Sequence, residues 1–310
     1  MDGTKITLKG DQTMAIIVNT NMPALNIQKT LANATDGMNK SMMRMATGSK
    51  INQAADDAAG MAVSTNMTTQ IEGQKTAQTN AQLGSNLLST TEGTLDVVQK
   101  NVSRIRDLVS QAANGTYDSK ALKAIRVEIQ SRSDEVSRLS DSTKFNGIRL
   151  FGDTTAVTGA ATVGVNIQVG AGSVAADNVI NLASTMFTDV AVSCLSGNMT
   201  TANFDALLGT TAGSAATTKD ASMLLSACDL ALDNIVGKKT NIGAYQNRLT
   251  SAVEGLATSN TNLKAARSTI QDADIAEESA SYVQNQILQQ ASASLLASAN
   301  QAPSIAINLV

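Results

Sequence analysis

The position of its prolines constrains this chain more than any other feature. There are two, Pro23 and Pro303, and they lie near opposite ends of the 310 residues. A proline inside a helix removes a backbone hydrogen bond and collides with the preceding turn, so a long proline-free stretch allows long uninterrupted helices. The apolar residues between the prolines recur mostly at steps of three and four, the spacing of one helix face. The sequence therefore predicts a mainly α fold.

The first predicted helix begins near Pro23 and ends at Thr47-Gly48. Proline is tolerated in a first turn, and Asn19, Thr20 or Asn21 is available as the capping residue before it. Glycine commonly follows the last residue of a helix, because it adopts the left-handed conformation without strain. A narrow apolar stripe runs along this helix. It consists of Ile27, Leu31, Ala34, Met38, Met42 and Met45.

A second helix of the same kind follows Asp274, and Pro303 is predicted to end it before a short apolar tail. Its stripe consists of Ala280, Val283, Ile287, Ala291 and Leu295. Because a lone helix cannot bury a stripe, we predict that the two terminal helices pair as a coiled coil, which then packs against copies of itself. The residues predicted to carry subunit assembly are Ile27, Leu31, Met38, Met42, Met45, Val283, Ile287 and Leu295.

Two further helices are predicted after the first. A long one is expected over about Ala58–Ala113, and one over about Asp118–Ser142 should be its antiparallel neighbour, because the turn between them is short. The apolar stripe of the long helix is predicted in its second half. It consists of Leu83, Leu87, Leu95, Val98, Val102, Ile105, Leu108 and Ala112.

The pattern of residues changes after these helices. Asn146-Gly147 between apolar flanks predicts a tight hairpin, and residues 152–218 predict small β elements and loops. Helical spacing returns from Lys219 to about Ile270, with Asp220 as a cap and residues such as Leu230 on the apolar stripe. The predicted fold is thus mainly α. Long antiparallel helices form a rod-like bundle with a terminal coiled coil and a small β-hairpin and irregular middle region.

Enzymatic chemistry is poorly supported by the composition. Histidine is absent, which excludes a histidine base, a Ser-His-Asp arrangement and histidine-ligated metals. The pair Asp56-Asp57 precedes a helix, where carboxylates favour the positive end of the helix dipole, so capping is favoured over metal ligation. Cys194 and Cys228 are either one disulfide or two buried thiols, of which we favour the thiols. The sequence predicts a non-enzymatic protein without cofactor or metal.

Composition also bears on partners and location. A net charge of −3 argues against nucleic-acid binding, and no apolar run approaches the roughly 20 residues of a membrane span. Residues 1–13 lack the apolar core of a secretory signal. They are predicted to be an atypical extension before a more natural start at Met14.

Several dense motifs give the chain a resemblance to a known family. They are MAIIVNTN, ATGSKINQAADDAAGM, SRIRDLVSQAANGT, STKFNGIRLF, RSTIQDADIAEESA and SLLASANQAP. In these motifs the chain resembles the bacterial flagellins, the self-assembling subunits of the flagellar filament. The likeness runs from about Met14 to Phe151 and from about Lys219 to Val310, nearly everything except the middle.

The resemblance implies a domain organisation. Residues 14–57 and 270–310 would form the coiled-coil domain of the filament core, and residues 58–151 and 219–269 a helical spoke domain with its hairpin. Residues 152–218 would be a short variable surface region. The implied function is a structural subunit that is exported by the type III apparatus and polymerises into the flagellar filament for motility. A hook–filament junction protein is the alternative.

The resemblance also implies partners. The first is the chain itself, as a helical homopolymer in the extracellular filament; the others are the flagellar cap and junction proteins and an export chaperone. Many flagellins are also recognised by a host Toll-like receptor. The residues here that match this contact are Arg104, Leu108 and Glu128. Nucleic acid and membrane are not among the implied partners.

Overall fold

The computed structural model of the protein describes residues 21–114, 116–151, 165–172, 174, 178–182, 187 and 218–307. Within these ranges the chain forms five helices and two strand pairs. The helices are α1 Met22–Thr47, α2 Ala58–Ala112, α3 Ser119–Ser142, α4 Thr218–Gln271 and α5 Ile275–Ile307. The strands are β1 Lys144–Phe145, β2 Ile148–Arg149, β3 Asn166–Gln168 and β4 Val179–Asn181. The predicted mainly α fold class is confirmed.

The ends of α1 carry the predicted signals. The Asn21 side chain accepts a hydrogen bond from the Ala24 N–H at 3.2 Å, which caps the first turn around Pro23. At the other end Gly48 adopts a φ of 69°, and its N–H donates to the Arg44 carbonyl. This left-handed residue satisfies a carbonyl that would otherwise lack a partner at the helix end.

The turns of α2, α3 and the first hairpin also match their sequence signals. The Asp57 carboxylate accepts from the Gly60 N–H at 2.9 Å, and that of Asp118 from the Ala121 N–H at 2.8 Å. The capping interpretation is therefore confirmed for Asp57. Asn146 and Gly147 both have positive φ values between β1 and β2, as a type I′ hairpin turn requires.

Two boundary predictions and two stripe assignments were wrong. Helix α4 begins at Thr218, so Asp220 lies inside the helix rather than before it. Helix α5 continues through Pro303 to Ile307. A proline so close to the helix end removes only one of the last backbone hydrogen bonds, and the remaining residues still form a turn. Leu83 and Leu230, which were predicted on apolar stripes, are about half exposed.

The described chain divides into two compact units. One comprises residues 21–68 with 264–307, and the other residues 69–263 where described. These bounds come from the geometry of the chain alone, so the predicted division into filament core and spoke stays a prediction. Residues 1–13 and most of residues 152–218, including Cys194, lie outside the described residues.

The larger unit has its core between α2, α3 and α4. Polar contacts from α2 to α3 join Arg104 to Glu128 and Asn101 to Arg132, so residue numbers rise along one helix as they fall along the other. The two helices are antiparallel, as predicted from their short turn. The large core residues with little or no exposure are Leu88, Leu95, Ile105, Leu108, Ile129, Leu150, Phe151, Leu182, Leu224, Ile235 and Ile242.

A glycine on α2 explains how the second strand pair packs into this core. Ile167 of β3 is buried against α2, and any Cβ at Gly84 would collide with the Ile167 side chain. Gly84 therefore forms a notch that admits the hairpin of β3 and β4. Nothing in the described part of the chain forms a helix that is both long and apolar enough to cross a lipid bilayer.

Candidate assembly surface

Helices α1 and α5 of the smaller unit form an antiparallel pair. The Asn21 amide donates to the Ala299 carbonyl at 2.8 Å, Gln289 donates to Thr35 at 3.1 Å, and Arg44 donates to Glu278 at 2.8 Å. These contacts connect the start of α1 with the end of α5 and the end of α1 with the start of α5. The pairing fixes the register of the two helices.

The α1 side of this pair uses most of the predicted stripe. Six of the half-buried or buried positions on α1, counted from Ile27, follow a heptad spacing of four and three residues. They are Ile27, Leu31, Ala34, Met38, Ser41 and Met45. Met42 lies outside this seam and is about half exposed. The sequence stripe therefore predicted five of six seam positions and missed Ser41.

The α5 side of the pair is polar, which the sequence stripe did not predict. Seven of the half-buried or buried positions of α5 again follow steps of four and three. They are Glu278, Tyr282, Asn285, Gln289, Ser292, Leu296 and Ala299. Most of these side chains carry a polar group, and those of Glu278 and Gln289 bond to Arg44 and Thr35 of α1, so the pairing gives these two buried groups a partner.

The predicted stripe of α5 faces away from α1. Val283, Ile287 and Leu295 are 50%, 59% and 58% exposed, and Ile275 and Leu288 are exposed beside them. Ala280, Val283, Ile287 and Leu288 line an open, mostly apolar groove along the helix. We call the residues Ile275, Val283, Ile287, Leu288 and Leu295 the outer stripe of α5. Contiguous exposed apolar surface of this kind marks an interaction site.

The charge distribution suits burial of this surface. Residues 279–310 contain no Asp, Glu, Lys or Arg. Covering Val283, Ile287, Leu288 and Leu295 with another apolar surface would therefore remove no charge of this segment from water, so no desolvation penalty for a charge opposes that part of the contact. The charged residues of α5 all lie in its first turn, at Glu277 and Glu278.

One of these, Glu278, forms the main ion pair between α1 and α5. Arg44 and Glu278 are largely buried, and the Arg44 Nε atom is buried without a hydrogen-bond partner. Replacing Glu278 by Ala leaves more of the guanidinium unpaired, so we expect the free energy of opening the α1–α5 pair to fall by about 1–3 kcal/mol. Amide hydrogen exchange of α1 measures this loss. Glu277→Ala is the matched control, because Glu277 is exposed; equal losses in both variants would contradict the assignment.

A second ion pair holds the connector between α1 and α2. The Lys40 Nζ atom lies 2.7 Å from the Asp56 carboxylate, and the N–H groups of Asn52 and Gln53 donate to the same side chain at 3.3 Å. The hydrogen bond from Lys40, followed by that from Asn52, lowers the pKa of Asp56 below its ordinary value of 3.8. Asp56 thus has a structural role in the connector.

This pKa shift predicts an acid-sensitive contact. Because the folded pKa of Asp56 is lowered, its contribution to stability is present above pH 3.8 and is lost as the pH falls through the folded pKa. We expect an NMR titration of the Asp56 carboxyl carbon to give a pKa below 3.8 in the unmodified chain and a higher pKa in Lys40→Gln. Identical pKa values in the two proteins would show that Lys40 does not set the shift.

The residues matched to a receptor contact lie in the larger unit, and they differ in their exposure to solvent. Arg104 and Glu128 are partly exposed and bond at 3.2 Å, and Glu128 also accepts from Arg132 at 3.1 Å. The bond from Arg132 is the main cause that lowers the pKa of Glu128, followed by that from Arg104. Leu108 is only 2% exposed, so the contact predicted for it has no accessible side chain.

Leu108 belongs instead to a buried apolar cluster with Ile105, Ile129, Leu224 and Cys228. Cys228 is a buried free thiol, and burial raises the pKa of this thiol to about 11. A thiol with so high a pKa is almost wholly protonated at neutral pH and therefore a poor nucleophile. Among the described residues, no cluster of three acidic or cysteine side chains could hold a metal ion.

Comparison with known proteins identifies both ends of the chain. The family model of the bacterial flagellin N-terminal helical region matches residues 18–156, and that of the bacterial flagellin C-terminal helical region matches residues 225–310. The chain is similar to the flagellin of Bacillus subtilis, at 35% identity over 307 residues, with 94% of this chain and 99% of the relative covered. It is also similar to the flagellar filament 30.7 kDa core protein of Treponema maltophilum, at 34% identity, with 92% and 96% covered.

A solved structure shares the fold. It is described as a flagellar hook-associated protein of Vibrio parahaemolyticus and matches with a TM-score of 0.56 at 18% identity, covering 70% of this chain and 100% of that chain. At this identity the likeness shows the fold alone. It therefore does not outweigh the filament proteins, which are more similar in sequence.

Proposed function

Because this chain belongs to the bacterial flagellin family, we propose that it adds to a filament through the outer stripe of α5. The protein is a structural subunit of the flagellar filament, and self-polymerisation is the property of its family. The observation that carries the assignment of the surface is the combination of exposed apolar residues, such as Ile287 and Leu295, with a segment that bears no charge.

The geometry of the α1–α5 pair supports different roles for the two predicted stripes. On this proposal the α1 stripe holds the pair together within one chain, whereas the outer stripe of α5 contacts neighbouring copies. Met42, which lies outside the seam, would belong to the second group. Residues 14–57 and 270–310 would then form the filament core, residues 58–151 and 219–269 the spoke, and residues 152–218 the variable surface.

Removal of the end of α5 tests this function. Deleting residues 287–310 removes Ile287, Leu288 and Leu295 but none of the core residues between α2, α3 and α4. We expect the truncated chain to keep the helical signal of the larger unit and to leave filament seeds unextended under the electron microscope. Seeds that grow with the truncated chain would refute the proposal.

Export and further partners follow from the family as proposals. The chain would leave the cell through the flagellar type III apparatus with an export chaperone, and would meet the flagellar cap and junction proteins at the growing filament. The uncharged, apolar end of α5 supports a need for protection before assembly, because exposed apolar surface promotes aggregation. A function as the junction protein itself would instead require that the purified chain fails to extend filament seeds.

Recognition by a Toll-like receptor is a separate proposal, and it rests on Arg104 and Glu128. Both side chains are partly exposed and hold each other in place, and Arg104 can offer a planar guanidinium to a partner. We expect Arg104→Ala to weaken receptor activation about tenfold in a reporter-cell assay. Arg138→Ala is the control, because Arg138 is more exposed and pairs only within α3. Equal responses to both variants would contradict the proposal.

A further inference from the structure

Methionine is concentrated on α1 to an unusual degree. Five of the twelve methionines of the chain lie within the 26 residues of this helix. They are Met22, Met38, Met42, Met43 and Met45. Met22, Met42 and Met43 are 53%, 50% and 46% exposed, and the last two are neighbours in sequence, whereas Met38 and Met45 are half-buried in the seam with α5.

The environments of these thioethers differ in a way that sets their reactivity. The Sδ atom of Met45 accepts a hydrogen bond from the Ser279 hydroxyl of α5 at 3.3 Å, which engages one of its lone pairs. Met42 and Met43 lie outside the seam, on the part of α1 that solvent reaches. An exposed thioether is open to oxidants in solution, and its oxidation changes an apolar side chain into a polar one.

From this arrangement we propose that Met42 and Met43 form a peroxide-sensitive modification site that controls whether the free chain can join a filament. A sulfur lone pair attacks one oxygen of hydrogen peroxide and the O–O bond breaks. The sulfur–oxygen bond of the sulfoxide forms, and water leaves after proton transfer to the departing oxygen. The sulfur is oxidised by two electrons and the peroxide is reduced. A dithiol-dependent sulfoxide reductase restores the thioether as its dithiol becomes a disulfide and water is released.

This inference rests on the proposed function, because Met42 belongs to the residues assigned to subunit assembly. Within a filament, contact with neighbouring copies would cover these side chains and protect them from peroxide. In the free chain they stay accessible. Oxidation therefore acts before assembly, and a sulfoxide then places a strongly polar group where the contact with another copy requires an apolar one.

The test compares growth before and after oxidation. Free chain is treated with dilute hydrogen peroxide, the sulfoxides are mapped by peptide mass spectrometry, and elongation of untreated filament seeds is followed by electron microscopy. The treated rate of each protein is divided by its own untreated rate. We expect this ratio to fall about tenfold or more in the unmodified chain, and to stay near one in a Met42→Leu, Met43→Leu double variant. Leucine keeps the apolar volume and has no oxidisable sulfur.

The matched controls use the other exposed methionines. Met223 on α4 and Met22 at the start of α1 are 56% and 53% exposed, so Met223→Leu and Met22→Leu are each expected to leave the loss on oxidation as large as in the unmodified chain. A double variant that loses growth as the unmodified chain does would overturn the proposal, as would peptides in which Met42 and Met43 stay unoxidised while growth is lost. Absence of growth without peroxide would instead refute the proposed function, so the two failures are distinguishable.

Discussion

Replacing both Ile287 and Leu295 by Asp is expected to abolish elongation of filament seeds while leaving the helix content of the free chain unchanged. Both side chains are largely exposed in the isolated chain, so the folded monomer loses little when they change. In an assembly each Asp would be buried without a partner at a cost of several kcal/mol, so subunit addition should weaken on the order of a thousandfold or more. Seeded elongation followed by electron microscopy measures the effect, with circular dichroism as the check on folding.

The matched control keeps the same two positions apolar. Ile287→Met with Leu295→Met preserves most of the buried apolar surface, and such exchanges usually cost less than about 1.5 kcal/mol each. We expect this variant to extend seeds, although more slowly than the unmodified chain. Elongation by the Asp variant at the rate of the Met variant would show that the outer stripe of α5 is not a contact between copies.

The second large effect concerns the core of the larger unit. Leu95 on α2 is fully buried in the cluster between α2 and α4. Leu95→Ala leaves a cavity there, so we expect the free energy of unfolding to fall by about 2–5 kcal/mol. Urea unfolding followed by the helical signal measures the loss, and an unchanged slope of the transition shows that the two-state comparison is valid.

Leu83 on the same helix supplies the control. The sequence stripe included both residues, but Leu83 is about half exposed in the structure. Leu83→Ala is therefore expected to lower the free energy of unfolding by about 1 kcal/mol or less. Similar losses in the two variants would mean that the burial of α2 is not as the structure has it.

The elements of this fold were predictable because their signals are local. Proline at the start of α1, glycine at its end, the Asp caps of α2 and α3 and the Asn146-Gly147 turn each act within a few residues. The prediction that Pro303 ends α5 was wrong for a related reason. A proline weakens a helix by one hydrogen bond, and near a helix end this is too little to stop it.

The sequence of α5 alone could not show which of its faces packs against α1. Apolar periodicity found Val283, Ile287 and Leu295 of the outer stripe of α5, but the expectation that this stripe is buried against α1 was wrong. The side of α5 that faces α1 is polar, and its use becomes apparent only when the register brings Glu278 to Arg44 and Gln289 to Thr35. These pairs are more than 200 residues apart in sequence. Their heptad spacing on α5 was visible in the sequence, but their partners were not.

The sequence signalled two other features only in part: the close contact at Gly84 and the accessibility of Arg104 and Leu108. An isolated glycine in a helix suggests a close packing contact, and Gly84 provides one for Ile167. The sequence did not show which segment approaches it. Arg104 and Leu108 lie one helical turn apart in the matched family motif and so share one side of α2, but Arg104 is partly exposed whereas Leu108 is buried. The motif identifies the candidate residues, but only the packing of the helices shows which of their side chains a partner can reach.

The central claim is that this chain polymerises through its terminal helices. The most direct test is electron microscopy of the purified full-length chain incubated with short filament seeds, followed by a reconstruction of the extended part. The expected result is growth of the seeds into filaments in which Ile287 and Leu295 contact a neighbouring copy. Seeds that stay short, or filaments in which the outer stripe of α5 faces solvent, would contradict the claim.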